Sequence, residues 1–97
     1  MATDLDLYSI FCTVARCGSF SLGAKKLYIS HSTTSRAVAA LEAELGVRLL
    51  ERGNRVLGLT AAGERLLEEA EALLSAAEES AERVRAAAEE REKEKGE

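Results

Sequence analysis

The sequence is poor in the residues on which most enzymes and metal proteins depend. Its 97 residues include a single histidine, no tryptophan and two cysteines. No GxSxG, P-loop or HExxH pattern occurs. The Gly18-to-Gly23 segment follows nothing that reads as a strand, so it is not a dinucleotide fingerprint. Catalysis is therefore not expected, and neither is a cofactor or a small-molecule ligand. The thiols Cys12 and Cys17 lie five apart, with no CxxC and no neighbouring histidine. That spacing speaks against a metal or redox site and fits ordinary thiols in a reducing cytoplasm. No charged-then-apolar leader opens the chain, and no apolar run approaches the roughly 20 residues that span a membrane. The expectation is a soluble, cytoplasmic protein with no membrane partner.

What is present is divided unevenly. Residues 1–60 carry seven basic side chains (Arg16, Lys25, Lys26, Arg36, Arg48, Arg52, Arg55) against five acids (Asp4, Asp6, Glu42, Glu44, Glu51), a net of +2. Residues 61–97 carry six basic against twelve acidic, a net of −6, so the overall −4 hides a mildly basic head on an acidic tail. The field that matters for a polyanion is local, and a few well-placed arginines suffice. The boundary expected from this shift puts a head at 1–60 and a long helix with a frayed charged end at 61–97. A core drawn from about sixty residues is small, which calls for a partner surface.

Local patterns predict four helices and a short hairpin. Leu7, Ile10, Phe11, Val14 and Ala15 fall on one helical face between Leu5 and Cys17. Tyr8 lies beside that stripe. Asp4 or Asp6 caps its start and Gly18 ends it. A short second helix follows, capped by Ser19 or Ser21, ending near Leu27 or Tyr28, with Ala24 and Leu27 inward and Lys25 and Lys26 outward. Gly23 and Ala24 leave room for another helix. Ser30 is a strong cap for a third helix running to about Leu45, with Gly46 as its stop. The third helix's inward stripe is Val38, Leu41 and Leu45, with Ala37 at the margin. Thr34 takes an inward position that an aliphatic residue would fill better.

Turned around, the third helix presents Ser32, Thr33 and Arg36, flanked by His31 and Ser35. This patch is polar, short-chained and lightly charged, and it suits close approach to a groove, phosphates and base edges. Val47–Leu50 and Val56–Leu59 read as two strands around Arg52-Gly53-Asn54-Arg55. Arginines beside a hairpin tip suit a phosphate backbone or a minor groove better than a core.

Thr60 caps a last helix that can continue for more than thirty residues, on the order of 50 Å. Gly63 in its first turn reads as a small penalty. Leu66, Ala70, Leu73, Ala77, Ser80, Val84 and Ala87 alternate by four and three, the spacing of a two-helix seam. Leu67, Leu74 and Ala81 widen it. Glu79 with Arg83 and Glu89 with Lys93 are favourable i,i+4 pairs. The fold class predicted is mainly α: a winged helix-turn-helix of three helices and a two-stranded wing, followed by a long dimerisation helix.

The stretch from Gly18 to Leu67 resembles the N-terminal domain of LysR-type bacterial transcriptional regulators. The likeness rests on Gly18-Ser19-Phe20, Ser35-Arg36, Leu41-Glu42, Leu45-Gly46, Leu49-Leu50, Arg52, Leu59-Thr60 and Ala62-Gly63, with spacing kept, and it covers about Leu5 to Leu74. The resemblance implies a homodimer on promoter DNA carrying an inverted repeat, paired by the helix after Thr60. It also implies that His31, Ser32, Thr33, Ser35 and Arg36 meet bases or phosphates and that Arg52 reaches the backbone or minor groove. With the residue-level reading, the candidate DNA-binding set is Ser30, His31, Ser32, Thr33, Ser35, Arg36, Arg52, Arg55, Lys25 and Lys26. The candidate dimerisation set is Leu66, Ala70, Leu73, Leu74, Ala77, Ala81 and Val84.

Departures from the family pattern are informative. Glutamine is usual where His31 stands, and proline is common at Ser32 in a chain with no proline at all. Glutamine pairs bidentately with adenine, whereas a neutral histidine offers one donor and one acceptor. Phenylalanine is usual at Leu50, alanine at Gly23, and a basic residue often stands at Gly58. The family continues into an effector domain that is not expected within these 97 residues. Two other readings use the same features: a dimerisation module that pairs with a full-length regulator and blocks it, and the head of a molybdate-type winged-helix regulator.

Overall fold

A computed structural model of the chain describes residues 4–51 and 57–95. The order is α1 (Leu5–Cys17), α2 (Phe20–Leu27), α3 (His31–Leu45), β1 (Leu50–Glu51), β2 (Gly58–Leu59) and α4 (Ala61–Lys95). Each helix starts where a short polar side chain can satisfy an orphan N–H. The Asp4 carboxylate accepts from the N–H groups of Asp6 and Leu7, and Ser19, rather than Ser21, accepts from Leu22. Ser30 accepts from Thr33 and Thr60 from Gly63. Gly18 and Gly46 close α1 and α3 in the left-handed conformation. Tyr28 closes α2 in the same conformation, at φ 57°.

The core lies where α1, α3, the wing and the first turns of α4 meet. Phe11, Cys12, Val14, Val38, Leu41, Leu49, Leu50 and Ala70 are buried together. Leu7, Ile10, Phe20, Leu59, Leu66, Leu67 and Leu74 pack around them, half-buried. Thr34 is fully buried as expected from its position. Its hydroxyl donates to the Ser30 carbonyl at 2.9 Å, so the polar atom is satisfied within its own helix. Leu45, expected inward, is 42% exposed because α3 ends there before it meets the core.

The wing is shorter than its apolar runs predict. β1 and β2 pair antiparallel, Leu50 with Leu59 and Glu51 with Gly58. The buried carboxylate of Glu42 takes the N–H groups of Leu49 and Leu50, at 2.8 and 3.4 Å, while the N–H of Val47 goes to the Glu42 carbonyl. Donors already used in this way cannot begin a ladder at Val47. Val56, assigned by pattern to the second strand, lies outside the described residues.

Two glycines permit close approach between elements. A methyl group on Gly23 would meet Val14 Cγ2 at 2.9 Å, where α2 crosses α1. One on Gly63 would sit 2.1 Å from the Leu49 carbonyl oxygen. Gly63 is therefore not a penalty to helix propensity that the fold merely tolerates; it is what lets α4 start against the wing. The same junction is tied by Thr60, whose N–H donates to Leu49 and whose hydroxyl donates to Arg48.

Beyond Leu74 the helix leaves the head, giving the molecule a long axis of 64 Å. Among the described residues, the i,i+4 ion pair that forms on α4 is Arg65 with Glu69. Glu79 and Arg83 do not close to salt-bridge distance, and Lys93 lies beyond the described side chains. Among the described residues no helix is long and apolar enough to cross a membrane, and no three His, Cys, Asp or Glu side chains could hold a metal ion.

Candidate nucleic-acid interface

Helices α2 and α3 form the helix-turn-helix, and the geometry of the joint decides which hydroxyls are free. The Ser30 hydroxyl accepts the Thr33 N–H at 3.1 Å and donates to Thr33 Oγ1 at 2.8 Å. Its donor and its capping lone pair are thus committed to the fold. Ser30, exposed and a candidate contact by sequence, is the cap that shapes the N-terminal end of α3. Thr33 accepts from Ser30, which leaves its own O–H proton free to donate outward.

Around that cap, His31, Ser32, Thr33 and Arg36 are all exposed, and Ser35 is half-buried. The His31 ring lies 5.9 Å from the Phe20 ring, tilted by 54°, so the first residues of α2 and α3 touch and His31 is held beside the helix end. Arg36 Nε donates to the Ser32 carbonyl at 3.4 Å, a long bond that lays the stem along the helix while the side chain stays in solvent. Farther along, the outward positions are Ala39, Ala40 and Ala43, all exposed, followed in the last turn by an exposed acid, Glu44, which disfavours a polyanion. The chemically equipped part of α3 is therefore its first two turns. Those turns also carry the free N–H groups and the positive end of the helix dipole, which favour a polyanion.

Lys25 and Lys26 are exposed in the last turn of α2. Beside them Tyr28 is 96% exposed, a large ring that supports nothing in the fold. Sequence reasoning placed Tyr28 only near the end of the second helix; the signal that marks it is an aromatic side chain where a left-handed backbone favours glycine or asparagine. Arg52 and Arg55, the candidate wing contacts, lie outside the described residues. The wing is anchored on either side of them by the Glu42 carboxylate and by the N–H of Leu57, which donates to Gly18.

The candidate pairing residues on α4 separate into two groups. Ala70 is fully buried against the chain's own head. It offers no surface to a partner, because the stripe that faces α1 in this region is the one read as a seam. Leu66 and Leu74 are half-buried against the same core. Leu73, Ala77 and Val84 are exposed, and Ala81 is half-buried.

Sequence reasoning missed two further features. Glu42 ties α3 to the wing; its only sequence signal is an acid inside an apolar stripe, one turn before Gly46. Arg16 and Glu71 join α1 to α4, with Arg16 Nε donating to Glu71 Oε2 at 2.8 Å and a second guanidinium nitrogen meeting Oε1. The arginine holds the Glu71 carboxyl below the usual carboxylate range, chiefly through that hydrogen bond. Nearby, burial and then the Glu71 charge push the Cys12 thiol up to about 11, which keeps it neutral and poorly nucleophilic at neutral pH.

The family model for bacterial regulatory helix-turn-helix proteins of the lysR family matches residues 5–64. The chain is 47% identical over 78 residues to the HTH-type transcriptional regulator TcbR of Pseudomonas sp. (strain P51), covering 80% of this chain and 26% of that protein. It is 46% identical over 77 residues to the HTH-type transcriptional regulator ClcR of Pseudomonas putida, covering 79% of this chain and 26% of the relative. The chain thus spans about a quarter of the length of these curated relatives. Among solved structures it superposes on the DNA-binding domain of CbnR in its DNA complex, with a TM-score of 0.84, 43% identity, and coverage of 89% of this chain and 99% of the other. The DNA-binding domain of BenM in complex with catB site 1 DNA gives a TM-score of 0.84 at 34% identity, covering 86% of this chain and 92% of the other. A matched family model over more than half its residues and this shared winged fold make the chain a member of the LysR family of bacterial helix-turn-helix regulators.

Proposed function

We propose that this chain binds double-stranded DNA sequence-specifically as a homodimer and regulates transcription in the bacterial cytoplasm. The observation that carries the reading is the division of hydroxyls at the start of α3. Ser30 and Thr34 are satisfied internally, while Ser32, Thr33, His31 and Arg36 stand exposed around a helix N-terminus. An end built like this fits the major groove, where Ser32, Thr33 and His31 meet base edges and Arg36 meets a guanine or a phosphate. Lys25 and Lys26 on α2, and Arg52 and Arg55 of the wing, supply the sequence-independent attraction to the flanking backbone. The CbnR and BenM domains solved as DNA complexes share the fold, which supports the assignment.

The two heads pair through the outer part of α4, where Leu73, Ala77 and Val84 are uncovered, and the two-fold axis of the pair matches an inverted repeat. In this division of labour, residues 1–60 and the first turns of α4 form the head, and the rest of α4 sets the distance between heads. No catalytic step is assigned to any residue.

Selection from a random DNA pool, with light scattering for mass, tests the reading. The expected outcome is an inverted repeat bound by a dimer. Arg36→Ala then lowers affinity for the selected site by about tenfold or more. Arg52→Ala weakens specific and random DNA alike and flattens the salt dependence by about one unit of slope. A dimer with no salt-sensitive, sequence-preferring binding would instead support a module that pairs with a full-length regulator and blocks it.

A further inference from the structure

We infer that the Arg16–Glu71 pair is a positioning element that fixes the angle between head and pairing helix, and through it the half-site spacing the dimer accepts. The inference rests on the dimeric reading above. Helix α4 is pinned at its start by Gly63 against Leu49 and by Thr60. Leu66, Leu67 and Ala70 then pack it on the head, and Leu74 is the last hydrophobic side chain of the helix in that packing. Alongside runs an open cleft of about 550 Å³, between Ser9, Cys12 and Thr13 of α1 and Leu74, Ser75 and Glu78 of α4. Among the described residues beyond Leu74, no hydrophobic side chain of α4 belongs to the core packing, so the contacts at Glu71 and Leu74 set the direction in which the outer helix leaves the head.

The pair spans one side of that cleft. Arg16 sits in the last turn of α1, where a cation is favoured by the helix dipole. Its planar fork meets both oxygens of Glu71, a two-point contact that sets direction as well as distance. Both groups are partly in solvent, 64% and 38% exposed, so the pair contributes little to global stability. Its leverage is geometric. Glu71 stands about 12 Å along α4 from Gly63, and Val84 about 31 Å, at 1.5 Å per residue. A slip of about 1 Å at Glu71 becomes about 2.6 Å at the seam, close to the roughly 3.4 Å that separates one base pair from the next.

The test uses operators whose two half-sites are moved together or apart by one or two base pairs, bound by the wild-type chain, Arg16→Ala, Glu71→Ala, and the double exchange Arg16→Glu with Glu71→Arg. Binding to a single half-site and mass by light scattering are read in parallel. The expected result is a peaked spacing preference in the wild type, about threefold flatter in either single variant and restored by the exchange, with half-site affinity and dimer mass unchanged. Single variants with the wild-type peak would overturn the role of the pair, as would a flattening matched by an equal loss at the half-site. A wild-type chain that is monomeric and shows no spacing preference would overturn the dimeric reading itself.

Discussion

The two halves of α4 are one continuous helix made from the same few residue types, yet they live in different surroundings. From Ala61 to Leu74 the helix belongs to the head: Gly63 touches the Leu49 carbonyl, Ala70 is fully buried, and Leu66, Leu67 and Leu74 pack on the core. From Ser75 onward nearly every described side chain is exposed, with Val84 at 67%. The inner half is stabilised by tertiary contact, whereas the outer half relies on helix propensity and whatever pairs with it. Identical alanines four or seven positions apart are therefore not equivalent.

Matched substitutions break or sharpen that contrast. The largest effect is expected for Ala70→Glu, which forces a charge into the core and should cost about 3–5 kcal/mol in urea unfolding. The same change at Ala77 should leave the head's stability within about 0.5 kcal/mol while shifting the mass in light scattering towards monomer. Equal losses at both sites would erase the distinction between the halves. Next comes Gly63→Ala, which places a carbon against the Leu49 carbonyl and should cost about 2–3 kcal/mol, although alanine is the better helix former.

Smaller effects probe the joints around the head. Tyr28→Asn relieves the left-handed tyrosine and should raise stability by up to about 1 kcal/mol, measured by thermal unfolding. The smallest effect concerns pH. Because the folded-state carboxyl of Glu71 is depressed, its stabilising contribution is present at neutral pH and is lost as acidification passes through the usual carboxylate range and then below it, through the folded value. Melting curves of the wild type and Glu71→Gln should differ slightly at pH 7 and converge once the pH falls below the usual carboxylate range.

The outward patch of α3 was legible in the sequence because helical periodicity alone separates Ser32, Thr33 and Arg36 from Val38 and Leu41. Whether each hydroxyl is free was not legible. Ser30 and Thr33 are three apart, and only their hydrogen-bond geometry shows that one is committed to the other. The wing shows the opposite failure. Apolar runs predicted four-residue strands, but the Glu42 carboxylate, seven residues away, takes the Leu49 N–H, and regular pairing begins only at Leu50.

What the sequence by itself determined are the features whose cause lies within a few residues. These are the caps at Ser30 and Thr60, the choice of Asp4 or Asp6 and of Ser19 or Ser21 for the first two helices, the stops at Gly18 and Gly46, and the order of helices and wing. Only the tertiary structure decided which face of α4 is used up by the head, why Gly63 must be small, and that Arg16 meets Glu71 across 55 positions. Caps and stops satisfy backbone groups locally, so any chain with that pattern forms them. The others depend on two distant surfaces arriving within a few ångströms of each other, and helical periodicity carries no record of that distance.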